Sequence, residues 1–284
     1  SFNHTAGSTL RISSSRCYCL RTEHSYSGTL RMTSDEYFRH LLAQQNLTQE
    51  QLNSLRSLRE KIQGQLLVLQ GLPRFYYAGS FVKGTMIREV FDLDIVIYWP
   101  SDSGYTLKGI FDAVGETLRR HWSHVNPKTV AWELPFQGGF HIDVVPGRAI
   151  DGSFRYANLY RRDRDSSLQT SIKVHIDTVR NSGRQEVIRL LKLWRFKRNV
   201  PFKKSLALEL VTIDGCKGIR TDALETQFLA TLRYVRDNIV SARIVDPANT
   251  NNVVSDEMSS FEKQSIQSAA DTALKAQYWS QVLT

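Results

Sequence analysis

Cysteine is scarce in this chain: three residues, Cys17, Cys19 and Cys216, an odd number with no C-x-x-C spacing. That argues against a disulfide scaffold and a structural zinc site, and fits idle thiols in a reducing cytosol. Long apolar runs are missing too. Charged residues interrupt every one of them well short of the roughly 20 residues a bilayer requires, so a cytoplasmic protein with no membrane association is expected. No internal repeat and no low-complexity linker is visible. What remains is 41% hydrophobic and 23% charged, the composition of an ordinary globular protein.

Acid is the charge in short supply. Asp and Glu total 28 against 37 Lys and Arg, giving a net charge of +9 and a pI near 9.5. The excess favours polyanionic partners, either nucleoside triphosphates in a basic pocket or nucleic acid on a basic surface. Charge alone does not choose between them.

The most informative stretch is Ala78-Gly79-Ser80-Phe81-Val82-Lys83-Gly84-Thr85, running on to Asp92-Leu93-Asp94-Ile95-Val96-Ile97. The aromatic run Phe75-Tyr76-Tyr77 before it reads as a strand. Gly79 has no Cβ, so the chain can turn sharply and let a phosphate approach. Ser80 then offers a hydroxyl and an N–H at the start of a helical turn, where anions are favoured. Asp92 and Asp94 sit two apart at the entry to an apolar strand, so their carboxylates share one face and can converge on a cation. Asp143 lies in Phe140-His141-Ile142-Asp143-Val144-Val145-Pro146, another apolar strand broken by one acid and stopped by proline.

A lone aspartate before a strand usually caps a turn. Three of them behind a Gly-Ser turn point instead to hard oxygen ligands for Mg²⁺ bound together with phosphates. Two such ions can clamp both oxygens of a nucleotidyl transfer. His141 shares a face with Asp143 and reads as a supporting or structural residue. Lys192, in the apolar run Leu190-Leu191-Lys192-Leu193-Trp194, either snorkels from a core helix or points at bound phosphate, while Trp194 reads as core. Glu209 balances a neighbouring cation or orders its own helix.

Gly79-Ser80, Gly84-Thr85, Asp92-x-Asp94 and Asp143 resemble the DNA polymerase β-like nucleotidyltransferase signature. Within that superfamily, four further segments resemble the cGAS/DncV-like nucleotidyltransferases (CD-NTases) of bacterial anti-phage signalling, relatives of oligoadenylate synthase. They are His141 to Pro146, the helix Val187 to Trp194, Lys204 to Leu210, and Val245 to Val253. The resemblance implies an α/β (α+β) fold of two lobes, with a mixed catalytic sheet, a long N-terminal spine helix and a helical C-terminal lobe. It implies that Asp92, Asp94 and Asp143 are catalytic and hold two Mg²⁺ ions, Mn²⁺ being an alternative. Gly79, Ser80, Lys192 and Ser205 would bind nucleotide. The substrates would be nucleoside triphosphates such as ATP or GTP, and the product a cyclic oligonucleotide second messenger. A linear product, of the oligoadenylate kind or added to an RNA end, is the same chemistry with another outcome. A catalytically silent nucleic-acid-binding module is the alternative of a different class.

Along the rest of the chain, residues 1–33 are rich in Ser, Thr and Arg, with Glu23 the only acid. They resemble a transit peptide in composition without its amphipathic period, and the missing initiator Met suggests a trimmed chain. Ser34 is expected to cap a short helix through Leu42. Thr48-x-x-Gln51 reads as a capping box opening a long helix, with Leu52, Leu55, Leu58, Ile62, Leu66 and Leu69 in register up to Gly71-Leu72-Pro73. Thr106 to His124 reads as a helix, and 128–134 with 139–145 as a strand pair. Arg155 to Arg164 mixes cations and aromatics, as a nucleic-acid-tracking segment or a solvated loop would. Beyond Gln169 the pattern is helical, including Thr221 to Ile239 and Phe261 to Leu283. The turn-rich Asp246-Pro247 and Asn251-Asn252 segment is placed by the resemblance near the nucleotide end of the cleft. The expected divisions are an extension at 1–33, a catalytic lobe with its spine at 34–165, and a helical lobe at 166–284.

The run Arg161-Arg162-Asp163-Arg164-Asp165 scatters its cations among acids. No Cys/His cluster and no long run of like charge marks a duplex-binding platform. No obligatory nucleic-acid activator is therefore expected, and control rests with partner proteins or cellular ligands. Product formation should be unchanged by added duplex DNA or RNA across a salt series. Strong, salt-sensitive stimulation would overturn this expectation.

Overall fold

The computed structural model describes residues 32–284. Residues 1–31 of the expected extension, with Cys17 and Cys19, lie outside the described residues. Thr33, not Ser34, caps the first helix, α1 (Ser34–Gln44): its hydroxyl accepts from the Glu36 N–H at 3.3 Å, and the Glu36 carboxylate accepts from the Thr33 N–H at 2.7 Å. Threonine one residue earlier serves because Glu36 then falls at the third helical position, which closes the box. Thr48 opens α2 (Gln49–Leu66) with the expected box to Gln51. This helix stops at Leu66, before Leu69, and leaves Leu67 and Val68 exposed.

The sheet follows. Strand β1 (Arg74–Ala78) runs into the short helix α3 (Gly79–Lys83), then β2 (Asp92–Trp99) and α4 (Leu107–His121). After these come β3 (Asn126–Pro127), β4 (Trp132–Pro135), β5 (His141–Ala149), β6 (Ala157–Arg161) and β7 (Ser166–Thr170). The order β1-β2-β5-β4-β3 makes one mixed sheet, which β6 and β7 extend from the far half of β5. Strands β2 and β5 are parallel neighbours, with Asp92 opposite His141 and Asp94 opposite Asp143. Strand alternation sorts the faces. Leu93, Ile95, Ile97, Ile142 and Val144 lie under α2 and α4 in one core, whereas Val96 and Tyr98 join Ala149 and Leu159 in another. The three aspartates have the parity of this second face.

Arg155 to Arg164 is not a loop: β6 occupies its middle, with Ala157 and Leu159 buried. Its cations are engaged, Arg161 with Asp163 at 2.9 Å, Arg164 with Asp163 at 3.7 Å, and Arg162 with the Lys128 carbonyl at 3.4 Å. That matches a solvated hairpin better than a surface tracking a phosphate backbone. The hairpin carries the sheet to Thr170, so a division at 165 would fall inside its turn.

Helices α5 (Ile172–Asn181), α6 (Gln185–Lys197), α7 (Ser205–Gly215) and α8 (Leu224–Asn238) come next. A small hairpin of β8 (Val245–Asp246) and β9 (Asn249–Val253) follows, then α9 (Ser260–Lys275) and α10 (Ser280–Leu283). The expected single helix over Phe261 to Leu283 is broken at Ala276, whose backbone is extended. Phe38 of α1 packs between Phe228 and Trp279, with ring centroids 5.3 Å apart in both pairs. Helix α1 thus belongs to the helical core with Trp194, while α2 belongs to the sheet core. The expected spine helix is α2, one element, which packs in the sheet core, while the short α1 before it packs in the helical core.

Helix α4 crosses the sheet so closely that a Cβ on Gly115 would overlap the Trp132 ring. That indole is fixed by its hydrogen bond to the Phe111 carbonyl at 2.8 Å and by stacking on Phe111. Gly115→Ala gains about 1 kcal/mol of helix propensity but forces an overpacked ring costing about 1–3 kcal/mol. A net drop in melting temperature is expected by calorimetry. An unchanged or raised value would contradict the packing.

Candidate active site

The parallel register sets Asp94 directly beside Asp143 and leaves Asp92 at the strand entrance, beside His141. His141 Nε2 stands 3.5 Å from Asp92 Oδ2. On the other side of β2, Ala78 pairs with Asp94, so Gly79 begins where that carboxylate projects. Its backbone is left-handed, at φ 70°, and a Cβ there would overlap Asp94 Oδ2. Glycine is therefore dictated by the carboxylate as much as by the turn. Burial first, then the neighbouring charges of Asp92 and Asp143, push the Asp94 carboxyl up to about 7, against the pull of Lys83 and Lys128. Three acids so placed call for a cation, which the donor set suits.

One cation is already there. The Lys128 ammonium donates to both Asp143 oxygens, at 2.9 and 2.8 Å, and pairs with Glu133 at 3.0 Å. Burial raises the Asp143 carboxyl while Lys128 opposes the rise. Glu133, His141 and Asp143 also bring ligand atoms within 4.8 Å of one another, a second way for this edge to meet a metal ion.

A cleft of about 550 Å³ is lined by Ser80, Asp92 and His141 from the sheet half and by Lys192, Arg195 and Ser205 from the helical half; Gly79, Asp94 and Asp143 are not among its lining residues. Gly79 and Ser80 open α3; Ser205 is the first residue of α7. The Ser205 hydroxyl accepts from Arg195 Nη1 at 3.2 Å. Lys192 reaches the cleft from α6, but its ammonium is occupied. It donates to Glu209 Oε1 and to the Thr85 hydroxyl, both at 2.9 Å. Lys83 holds the other Glu209 oxygen at 2.8 Å. Burial would raise the Glu209 carboxyl, yet Lys192 and Lys83 outweigh it and bring it to about 2. Balancing cations is thus what Glu209 does.

The β8–β9 hairpin does not line this cleft. Asp246 instead holds it to α5, bonded to His175 at 2.6 Å and to the Ala248 N–H and Asn252 amide at 2.8 and 3.0 Å. Sequence reasoning missed Lys83, Arg195 and Lys128. Two of these carried a signal: Lys83 lies inside the Gly-Ser to Gly-Thr stretch, and Arg195 is one helical turn beyond Lys192 on the same face.

A Gly-Ser turn facing carboxylates on adjacent strands of a mixed sheet, with a helical lobe across the cleft, defines the polymerase β-like nucleotidyltransferase fold. No family model matches the chain. It is 31% identical over 157 residues to the cyclic AMP-AMP-AMP synthase of Escherichia coli (strain MS 115-1), a match covering 49% of each protein. The chain thus spans about half the length of that curated relative. Its structure is similar to E. coli MS115-1 CdnC solved with ATP, at TM-score 0.69 and 23% identity, covering 88% of this chain and 97% of that one. CdnC is also solved in complex with HORMA-deltaN. Vibrio cholerae DncV cyclic AMP-GMP synthase, solved with the linear intermediate 5′ pppA(3′,5′)pG, matches at TM-score 0.68 and 16% identity, covering 83% and 88%. The chain has the fold of the cGAS/DncV-like nucleotidyltransferases, as the sequence resemblance implied.

Asp94 titrates near 7 in the folded chain against its ordinary 3.8, so the folded state holds an extra proton between those values. Its contribution to stability is greatest at low pH and is lost as pH rises through about 7. Glu209, lowered from 4.5 to about 2, acts oppositely and only at lower pH. Freed of divalent ions, the chain should melt lower at about pH 8 than at about pH 5.5. Asp94→Asn should flatten that difference, and Mg²⁺ should raise the wild-type melting point most at the alkaline end. An undiminished slope in the variant would remove the assignment.

Proposed function

We propose that this chain is a Mg²⁺-dependent nucleotidyltransferase joining nucleoside triphosphates into a cyclic oligonucleotide second messenger for anti-phage signalling in the cytoplasm. The observation that carries the reading is Asp94 beside Asp143 on parallel strands, with a Gly-Ser turn against Asp94 and a basic wall across the cleft. Similarity to a cyclic AMP-AMP-AMP synthase and to DncV supports the cyclic product over a linear one.

Asp92, Asp94 and Asp143 hold two Mg²⁺ ions, for which Mn²⁺ can substitute. When bound, they lower the pKa of the attacking ribose hydroxyl and offset charge on the leaving pyrophosphate. Gly79 leaves room for the donor phosphates and Ser80 contacts them with its hydroxyl and N–H. Lys192, Ser205 and Arg195 meet the triphosphate from the helical lobe. The acceptor hydroxyl oxygen bonds to the α-phosphorus as the bond to pyrophosphate breaks, and its proton passes to a carboxylate or to water. Repetition at the same site, ending on the oligomer's own hydroxyl, closes the ring. The CdnC complex with HORMA-deltaN supports a regulatory protein partner for this chain as well.

Incubation with four labelled nucleoside triphosphates and Mg²⁺, with products resolved by mass, tests the reading. Cyclic products are expected, and the Asp92→Asn/Asp94→Asn double variant should lose them while keeping its far-UV circular dichroism. Linear products alone would favour the oligoadenylate-type alternative. No transfer from any nucleotide would leave a silent binding module.

A further inference from the structure

Between the lobes, one buried carboxylate holds two buried ammonium groups. Glu209 is 1% exposed, Lys83 9% and Lys192 8%. Each Glu209 oxygen has its own lysine, Oε2 with Lys83 and Oε1 with Lys192. The Thr85 hydroxyl donates to Oε1 at 3.1 Å while accepting from Lys192. A single lysine would neutralise this carboxylate, so the cluster carries one surplus positive charge. The two lysines are not equivalent. Lys192 lines the cleft, whereas Lys83 is not among the lining residues.

We infer that Lys83 is the standing counterion of Glu209, and that its presence is what frees Lys192 to leave the carboxylate and bind substrate phosphate. The inference rests on the phosphate-binding role proposed for Lys192. Burying a carboxylate without a partner is strongly unfavourable. If Lys192 were the sole partner of Glu209, turning toward a triphosphate would strand that charge. With Lys83 in place, Oε2 keeps its ammonium and Oε1 keeps the Thr85 hydroxyl. Lys192 then exchanges one anion for another, and the incoming phosphate takes up the surplus charge. Lys83 and Thr85 come from the segment that follows the Gly-Ser turn, and Glu209 from the helix that opens with Ser205. The exchange is therefore built into the joint between the lobes.

The test is calorimetric binding of the non-transferable α,β-methylene analogues of ATP and GTP to four variants, each checked for folding by thermal melt. Lys192→Met should weaken binding roughly tenfold, the loss of one charged hydrogen-bond partner. Lys83→Met should weaken it comparably, although Lys83 lies outside the cleft, because Lys192 is then locked on Glu209. Adding Glu209→Gln to Lys83→Met should restore most of the affinity. Glu209→Gln alone should bind at least as tightly as wild type, and it decides the matter if Lys83→Met fails to fold. Normal binding by Lys83→Met beside a weakened Lys192→Met would overturn the inference alone. So would a double variant as weak as Lys83→Met, since Lys83 would then contact phosphate itself, or a weakened Glu209→Gln. Wild-type affinity in Lys192→Met would instead remove the phosphate role of Lys192, and this inference with it.

Discussion

Repulsion among carboxylates fixed by strand pairing is the constraint on which the cleft depends. The parallel register of β2 and β5 places Asp94 against Asp143 whatever their charges prefer, because the same register buries Leu93, Ile95, Ile142 and Val144 on the opposite face. A slip of one residue would turn those apolar side chains out of their core. The acids are thus held together by hydrophobic packing, and their mutual repulsion is discharged locally. A proton on Asp94, the Lys128 ammonium on Asp143, and a bound cation are three ways of meeting the same demand.

Across the cleft the problem has the opposite sign. Lys192 and Arg195 bring positive charge to the wall of a cavity that Asp92 also lines, and Glu209 holds Lys192 together with Lys83, which lies outside that wall. This pairing joins the sheet to the helical lobe, which otherwise have separate hydrophobic cores. Arg189 adds a second tie, donating to the Met86 and Leu42 carbonyls at 3.0 Å. Electrostatics that suit a triphosphate with its metal ions also fix how the two halves meet.

Much of the site was legible because it lies in local patterns. The two-residue period put Asp92 and Asp94 on one face, and a glycine before serine marked the turn. Helix α1 was legible as a helix, but nothing local says that Phe38 packs against Phe228 and Trp279 far along the chain. Strand β6 was obscured because Arg155, Arg161 and Arg164 surround its buried Ala157 and Leu159. Lys192 left two readings open, since its partner depends on how α6, α7 and the α3 segment meet. An acid inside Leu206-Ala207-Leu208-Glu209-Leu210 does announce a need for a cation, but not which one.

In the proposed function, Asp92, Asp94 and Asp143 form one divalent-cation site serving a bound triphosphate. Crystals grown with Mn²⁺ and an α,β-methylene nucleoside triphosphate test it most directly, through anomalous scattering. Metal density touching all three carboxylates and the phosphates is expected, with the Lys128 ammonium displaced from Asp143. Ordered nucleotide with no metal at these residues, and Lys128 still seated on Asp143, would contradict it.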